Sequence, residues 1–188
     1  MRNGKPLWCG NSYDGGTLAD TVGTLRKFIP MDRTHLNRVD AAIYQPTTPE
    51  LLSSDIYNTY PFTGVADPKV GQMMTKSGRT TGYTSAPIID TDATVTVSYD
   101  EFEANFEHQI VTEYMSAGGD SGSAGGIGDK WGGLLFAGSD VVTIFNRPDL
   151  VISELGLPNI GTALPGGVTN LIPPLIAAGL ATYLYTKI

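Results

Sequence analysis

Glycine and proline interrupt this chain so often that long helices have no room to form. Of its 188 residues, 23 are glycine and 12 are proline. A glycine in a helix interior costs about 1 kcal/mol relative to alanine, and a proline removes a hydrogen bond and clashes with the preceding turn. The runs left between these breakers are short and rich in β-branched residues, the pattern of an all-β chain. "DTVGTLRKFIP" (20–30) alternates as a strand does, and "NRVDAAIYQP" (37–46) has a compact apolar centre ending at Pro46. "ATVTVSY" (93–99) has a plain period of two, and "FEHQIVTEYM" (106–115) reads as a further strand. "KWGGLLFAGS" (130–139) and "VVTIFN" (141–146) form a strand pair around Ser139-Asp140. Residues 47–68, full of Thr, Ser, Asp and Pro, read as a long surface crossing. Only "RPDLVISELGLP" (147–158) predicts a helix, started by Pro148-Asp149 and ended by Gly156 and Pro158. The expectation is a β-barrel or sandwich protein with one late helix.

Composition narrows the function classes. Apolar residues make up 41% and charged residues 16%, which is enough to build a core. The net charge of −7 argues against a nucleic-acid partner, because phosphate binding needs a basic surface. Cys9 is the single cysteine, so no intrachain disulfide is available, and it reads as a small buried apolar residue. Residues 1–15 hold no apolar run and give no signal-peptide pattern. There is no metal-ligand constellation, and the glycines at 118–128 lack the lysine of a phosphate loop, so no cofactor is expected.

The segment with chemical content is "GGDSGS" (118–123). Taken alone, it is equally a glycine-serine turn or the seat of a nucleophile. Glycines on both sides of Ser121 let the backbone fold tightly and leave the amides of Gly119 and Ser121 free to converge, as an oxyanion hole requires. A serine hydroxyl is a poor nucleophile without a neighbouring base, and that base needs an orienting carboxylate.

"GGDSGS" resembles the nucleophile loop of the chymotrypsin-like serine peptidases, and other segments resemble the same family in the same order. "KSGRTTGYTS" (76–85) is similar to a strand-turn-strand of the bacterial α-lytic and streptogrisin type, and "NRVDAAI" (37–43) to the segment presenting the family's aspartate. "GGLLFAGS" (132–139) resembles the strand that binds the substrate backbone, and "DGGTLADTVGTLRKFIP" (14–30) the run before the aspartate in a trypsin-like bacterial group. The resemblance spans roughly residues 10–158. It implies a double β-barrel with Ser121 as nucleophile, Asp40 as orienting carboxylate, and the Gly119 and Ser121 amides as oxyanion hole. It also implies that Phe136, Ala137 and Gly138 pair with substrate, that Met115 and Ser116 lie near the base of the side-chain pocket, and that Asp120 makes an internal ion pair shaping the loop. No acidic residue falls at that pocket base, so a preference for Arg or Lys is not supported. In secreted relatives cysteines flank the "SGRTTGY" segment; here Thr75 and Ser85 stand there. That departure suggests a non-secreted branch, or one that never relied on disulfides. With no signal-peptide pattern, a cytoplasmic or phage-associated setting is expected over secretion.

The family order is histidine, aspartate, serine, and the chain has only two histidines. His108 lies between Asp40 and Ser121 and reads as an ordinary strand histidine. His35 precedes Asp40 by five residues, an odd offset that points side chains to opposite faces of a strand. The histidine-bearing segment is therefore expected before residue 14, and the N-terminal barrel is expected to be incomplete. The expected units are a partial N-terminal barrel over 1–60 carrying Asp40, a C-terminal barrel over 61–158 carrying Ser121, and a linker with a hydrophobic tail helix over 159–188. The uncharged run Leu171 to Tyr185 is shorter than the roughly 20 residues that cross a bilayer as a helix. It reads first as a packing or oligomer contact within 168–188 and second as a membrane attachment. Two functions follow: a trypsin-like serine endopeptidase acting on polypeptide substrate, close to inactive without its histidine, or a catalytically silent peptide-binding or structural module.

Overall fold

The computed structural model describes residues 6–8, 21–48, 56, 58, 61–99, 102–158 and 176–177. The elements are β1 (Pro6–Trp8), β2 (Thr21–Phe28), β3 (Ala42–Pro46), β4 (Gly64–Val65), β5 (Met73–Gly78), β6 (Gly82–Tyr99), β7 (Phe102–Glu113), β8 (Ala124–Ile127), β9 (Lys130–Gly138), β10 (Val142–Asn146), α1 (Pro148–Leu155) and β11 (Ile176–Ala177). Cys9, the run at 9–20, the linker at 159–167 and most of the tail lie outside the described residues.

Two sheets result. The smaller has the order β1-β2-β3-β11, and the larger runs β10-β7-β6-β5-β8-β9-β4, with β10 also pairing β9. That last pairing closes six antiparallel strands into a barrel. Closure removes the free edges an open sheet would expose. The two-residue strand β4, inside the expected surface crossing, runs parallel along β9. The tail helix expected over 168–188 is not what the described tail residues form. Ile176 and Ala177 pair antiparallel with Ile43 and Ala42. Strand β3 offers edge amides and carbonyls on that side, and an extended segment satisfies them where a helix cannot.

Strand β9 shows why its sequence does not alternate. Its burial is continuous from Trp131 to Ala137 because it has a core on each face. Leu135 joins Met74, Ile88, Ile110 and Phe145 in one cluster. Leu134 and Trp131 join Val39, Phe62, Leu150 and Val151 in a second, and Phe136 and Ala137 join Val97, Phe106 and Ile144 in a third. Strand β9 thus ties together the three buried clusters found among the described residues.

The runs before and after residue 90 are one continuous 18-residue strand, β6, rather than separate pieces. Three register shifts against β7 let the pair bend without breaking. Its outer part forms an arm that reaches the segment before β3. Asn37 N–H donates to Asn105 O at 2.8 Å and Glu107 N–H to Asn37 O at 2.9 Å.

Helix α1 starts with Pro148 and ends at Gly156, which adopts a left-handed φ of 66°. The Lys27 ammonium donates to the carbonyls of Glu154 and Leu155 at 3.1 and 2.7 Å, binding the smaller sheet to the helix's negative end. Lys27→Met is expected to lower stability by about 1 kcal/mol, the scale of such caps, read as a shift in the urea midpoint.

Candidate active site

The loop "GGDSGS" is built around the buried carboxylate of Asp120. Oδ1 accepts from the amides of Thr80 and Thr81 at 2.7 and 3.2 Å. Oδ2 accepts from the Thr81 hydroxyl at 2.6 Å, the Ala117 amide at 3.1 Å and the Lys76 ammonium at 3.1 Å. Burial alone pushes this carboxyl up. The Thr81 hydroxyl, the Ala117 and Thr80 amides and Lys76 outweigh it and hold Asp120 below the usual aspartate range. Lys76 is as fully buried as its partner, and it also donates to Gly82 O and to the Thr81 hydroxyl. This is the internal ion pair that the resemblance implies for Asp120, and its cation is Lys76.

That anchor dictates two glycines. A Cβ on Gly78 would stand 2.3 Å from Asp120 Oδ1. Gly119 has φ +95°, and a Cβ there would lie 2.5 Å from Thr80 Oγ1 and 2.6 Å from Arg79 Nη2. The loop packs against the "SGRTT" turn too closely for any side chain at these places.

The loop's remaining amides divide into two groups. Those of Asp120, Gly122 and Ser123 donate to Ala117 O, Leu135 O and Asp120 O at 3.0, 2.8 and 3.0 Å. No acceptor among the described residues takes the amides of Gly119 or Ser121. The Ser121 hydroxyl is buried and without a hydrogen-bond partner; among the described residues only Gln109 Oε1 shares that condition. Ser123, two residues on, is the opposite case, donating to Asp120 O at 2.6 Å.

Asp40 is not on a strand. It lies in the segment leading into β3, buried to 6% exposure. Its backbone is clamped from both sides by one side chain: Asp40 N–H donates to Asn146 Oδ1 and Asn146 Nδ2–H donates to Asp40 O, each at 3.0 Å. Its Oδ2 accepts from the Tyr99 hydroxyl at 2.9 Å. Burial, then the charge and hydrogen bond of Asp40, hold the Tyr99 phenol far above its ordinary range, so it stays a donor. Asn146 also donates to Leu134 O at 3.4 Å, while Leu135 N–H donates to Ser123 O at 3.0 Å. Adjacent residues of β9 therefore carry the Asp40 attachment and the Ser121 loop.

Neither histidine belongs to this arrangement. His35 sits in an exposed turn, its Nδ1 3.1 Å from Asp32 Oδ2. The backbone and hydroxyl of Thr34, then the His35 amide, hold Asp32 well below the usual carboxylate range. His108 occupies a β7 bulge with φ 60° and pairs with Asp92 at 2.5 Å.

No known family model and no curated protein matches the chain. Solved structures do. It is similar to a chymotrypsin of Cellulomonas bogoriensis at 25% identity and a TM-score of 0.60, over 82% of each chain. It is similar to a glutamic acid specific serine protease, described as using a histidine triad in substrate binding, at 28% identity and a TM-score of 0.55, over 76% of this chain and 74% of that one. Protease A of Thermobifida fusca matches at 24% identity and a TM-score of 0.57, over 73% of both. This chain has the chymotrypsin-like fold of the bacterial serine proteases. Within that fold Met115 and Ser116 are buried, and Thr143 of β10 holds both: Thr143 Oγ1 accepts from Met115 N–H at 3.1 Å and lies 2.8 Å from Ser116 Oγ. Gly138 is their neighbour, since a Cβ on it would lie 3.5 Å from Ser116 Oγ. Strand β10 pairs Ala137 with Ile144 and Gly138 with Thr143, and Phe136 is wholly buried beside Phe106 with ring centroids 4.9 Å apart. Lys76, Asn146 and Tyr99 were not singled out from sequence. Lys76 carried a signal: it shares the inward phase of β5 with Met74, where a lysine is out of place unless paired.

Proposed function

We propose that this chain carries the nucleophile of a chymotrypsin-like serine endopeptidase. Ser121 attacks the scissile carbonyl, the amides of Gly119 and Ser121 receive the developing oxyanion, and Asp40 orients the base. The observation that carries this reading is the Ser121 hydroxyl, buried without a partner in a loop whose own aspartate is fully bonded. Structural serines in tight turns bond their own backbone, as Ser123 does. The base is an imidazole from outside the described site, because both histidines are engaged elsewhere. Phe136 to Gly138 pair with the substrate backbone, and the pocket ending at Met115 and Ser116 takes an uncharged side chain.

A fluorophosphonate probe tests this. The Ser121 oxygen forms a bond to phosphorus, the phosphorus–fluorine bond breaks, and the proton passes to imidazole supplied at about 0.1 M. Expected is an adduct on Ser121 that forms faster with imidazole than without; modification spread over other serines, or none, ends the reading. The committed histidines favour a second reading, a catalytically silent peptide-binding module, in which no adduct forms but peptides still shift the resonances of β9.

A further inference from the structure

We propose that Tyr99 is a positioning residue of this site, fixing the Asp40 carboxylate in the orientation from which it directs a base toward Ser121. The inference rests on the hydrolase reading above. Asp40 is buried, and a carboxylate taken out of water needs donors on its oxygens. Strand β9, joined to the Asp40 backbone through Asn146, is apolar at Leu134, Leu135 and Phe136 and offers no side-chain donor there. Tyr99 supplies the hydroxyl at 2.9 Å. Its position is itself fixed. The ring stacks on Phe102 across the end of the β6–β7 arm, with centroids 4.9 Å apart and planes 12° from parallel. Phe102 in turn carries the Arg33 guanidinium 4.1 Å above its face. The same arm holds the Asp40 segment through Asn37, and Gln109 Nε2 donates to Arg38 O at 2.9 Å. Asn146 thus holds the backbone of Asp40, and Tyr99 donates to its carboxylate. Tyr99 works through Asp40 and touches no reacting atom.

Two measurements test the role on the chain with Tyr99→Phe, Asp40→Asn and the double variant. The phenylalanine keeps the stacking and removes only the hydroxyl. First, in urea unfolding, the two changes are expected to couple by about tenfold in the unfolding equilibrium constant, the scale of a hydrogen bond to a charged group. Second, in fluorophosphonate labelling with imidazole supplied, Tyr99→Phe is expected to lower the maximal labelling rate about tenfold while the half-saturating probe concentration stays unchanged. In the Asp40→Asn background the same change is expected to do nothing further. Additive effects on labelling, or a changed half-saturation with an unchanged maximal rate, overturn the positioning role. Coupling in unfolding with no change in labelling makes the contact merely structural and overturns it too. Unlabelled wild type sinks the hydrolase reading and this role together, whereas absent coupling with normal wild-type labelling sinks this role alone.

Discussion

Lys76→Met is expected to destabilise the folded protein by about 3–5 kcal/mol, the range for removing one partner of a buried ion pair. The cause is what the substitution leaves behind. Asp120 stays wholly buried, and its anion then faces only neutral donors. The carboxyl can respond by taking a proton, but three of the groups around it, the Thr80, Thr81 and Ala117 amides, are fixed donors that favour the anion. The loop is expected to loosen, and Ser121 labelling to fall with it. The pH dependence separates the ion pair from lost packing. Asp120 is depressed in the folded protein, so its contribution is fully present above the unfolded value of about 4 and is lost as the pH falls through the folded value. The difference in urea midpoint between wild type and Lys76→Met is therefore expected to be largest near pH 6 and to shrink below about pH 4. A difference that stays constant to pH 2 assigns the loss to packing of the lysine stem.

The parts of the fold legible in the sequence are those governed by neighbours in the chain. Helix α1 announces both ends through Pro148 and Gly156, and the period of two at 93–99 places Val95 and Val97 on one buried face. The tight turn at "GGDSGS" was legible from its own glycines, whereas the "SGRTT" turn it packs against, where Thr80 lies 40 residues from Asp120, was not. Closure of the barrel was not legible. It depends on β10 finding β9 and β7 at once, and nothing in "VTIFN" names two partners. The clamp on Asp40 was hidden for the same reason: Asn146 lies 106 residues away, and an asparagine at a strand end reads as a turn residue until its partner is known. At Ile176 and Ala177 the pairing with β3 was likewise hidden, because uncharged apolar residues suit a helix and an added strand equally.

Ser121→Ala is expected to abolish labelling and to raise stability, by about 1 kcal/mol. The two effects have one origin. A buried hydroxyl without a partner has given up its water and gained nothing in the folded state, at a cost of about 1–3 kcal/mol. Removing the oxygen cancels that cost and leaves only a small void. Ser123→Ala provides the contrast within the same loop. Its hydroxyl donates to Asp120 O at 2.6 Å, so its loss is expected to destabilise by about 1 kcal/mol and to leave labelling at Ser121 substantially intact. Thermal unfolding of the two variants side by side reads the signs directly. Opposite signs mean that one serine holds the loop together and the other is held, at a cost, in a place where folding has no use for it, which is how reactive groups sit in enzymes. If both alanines destabilise alike, the Ser121 hydroxyl is a structural group and the case for a nucleophile at this position fails.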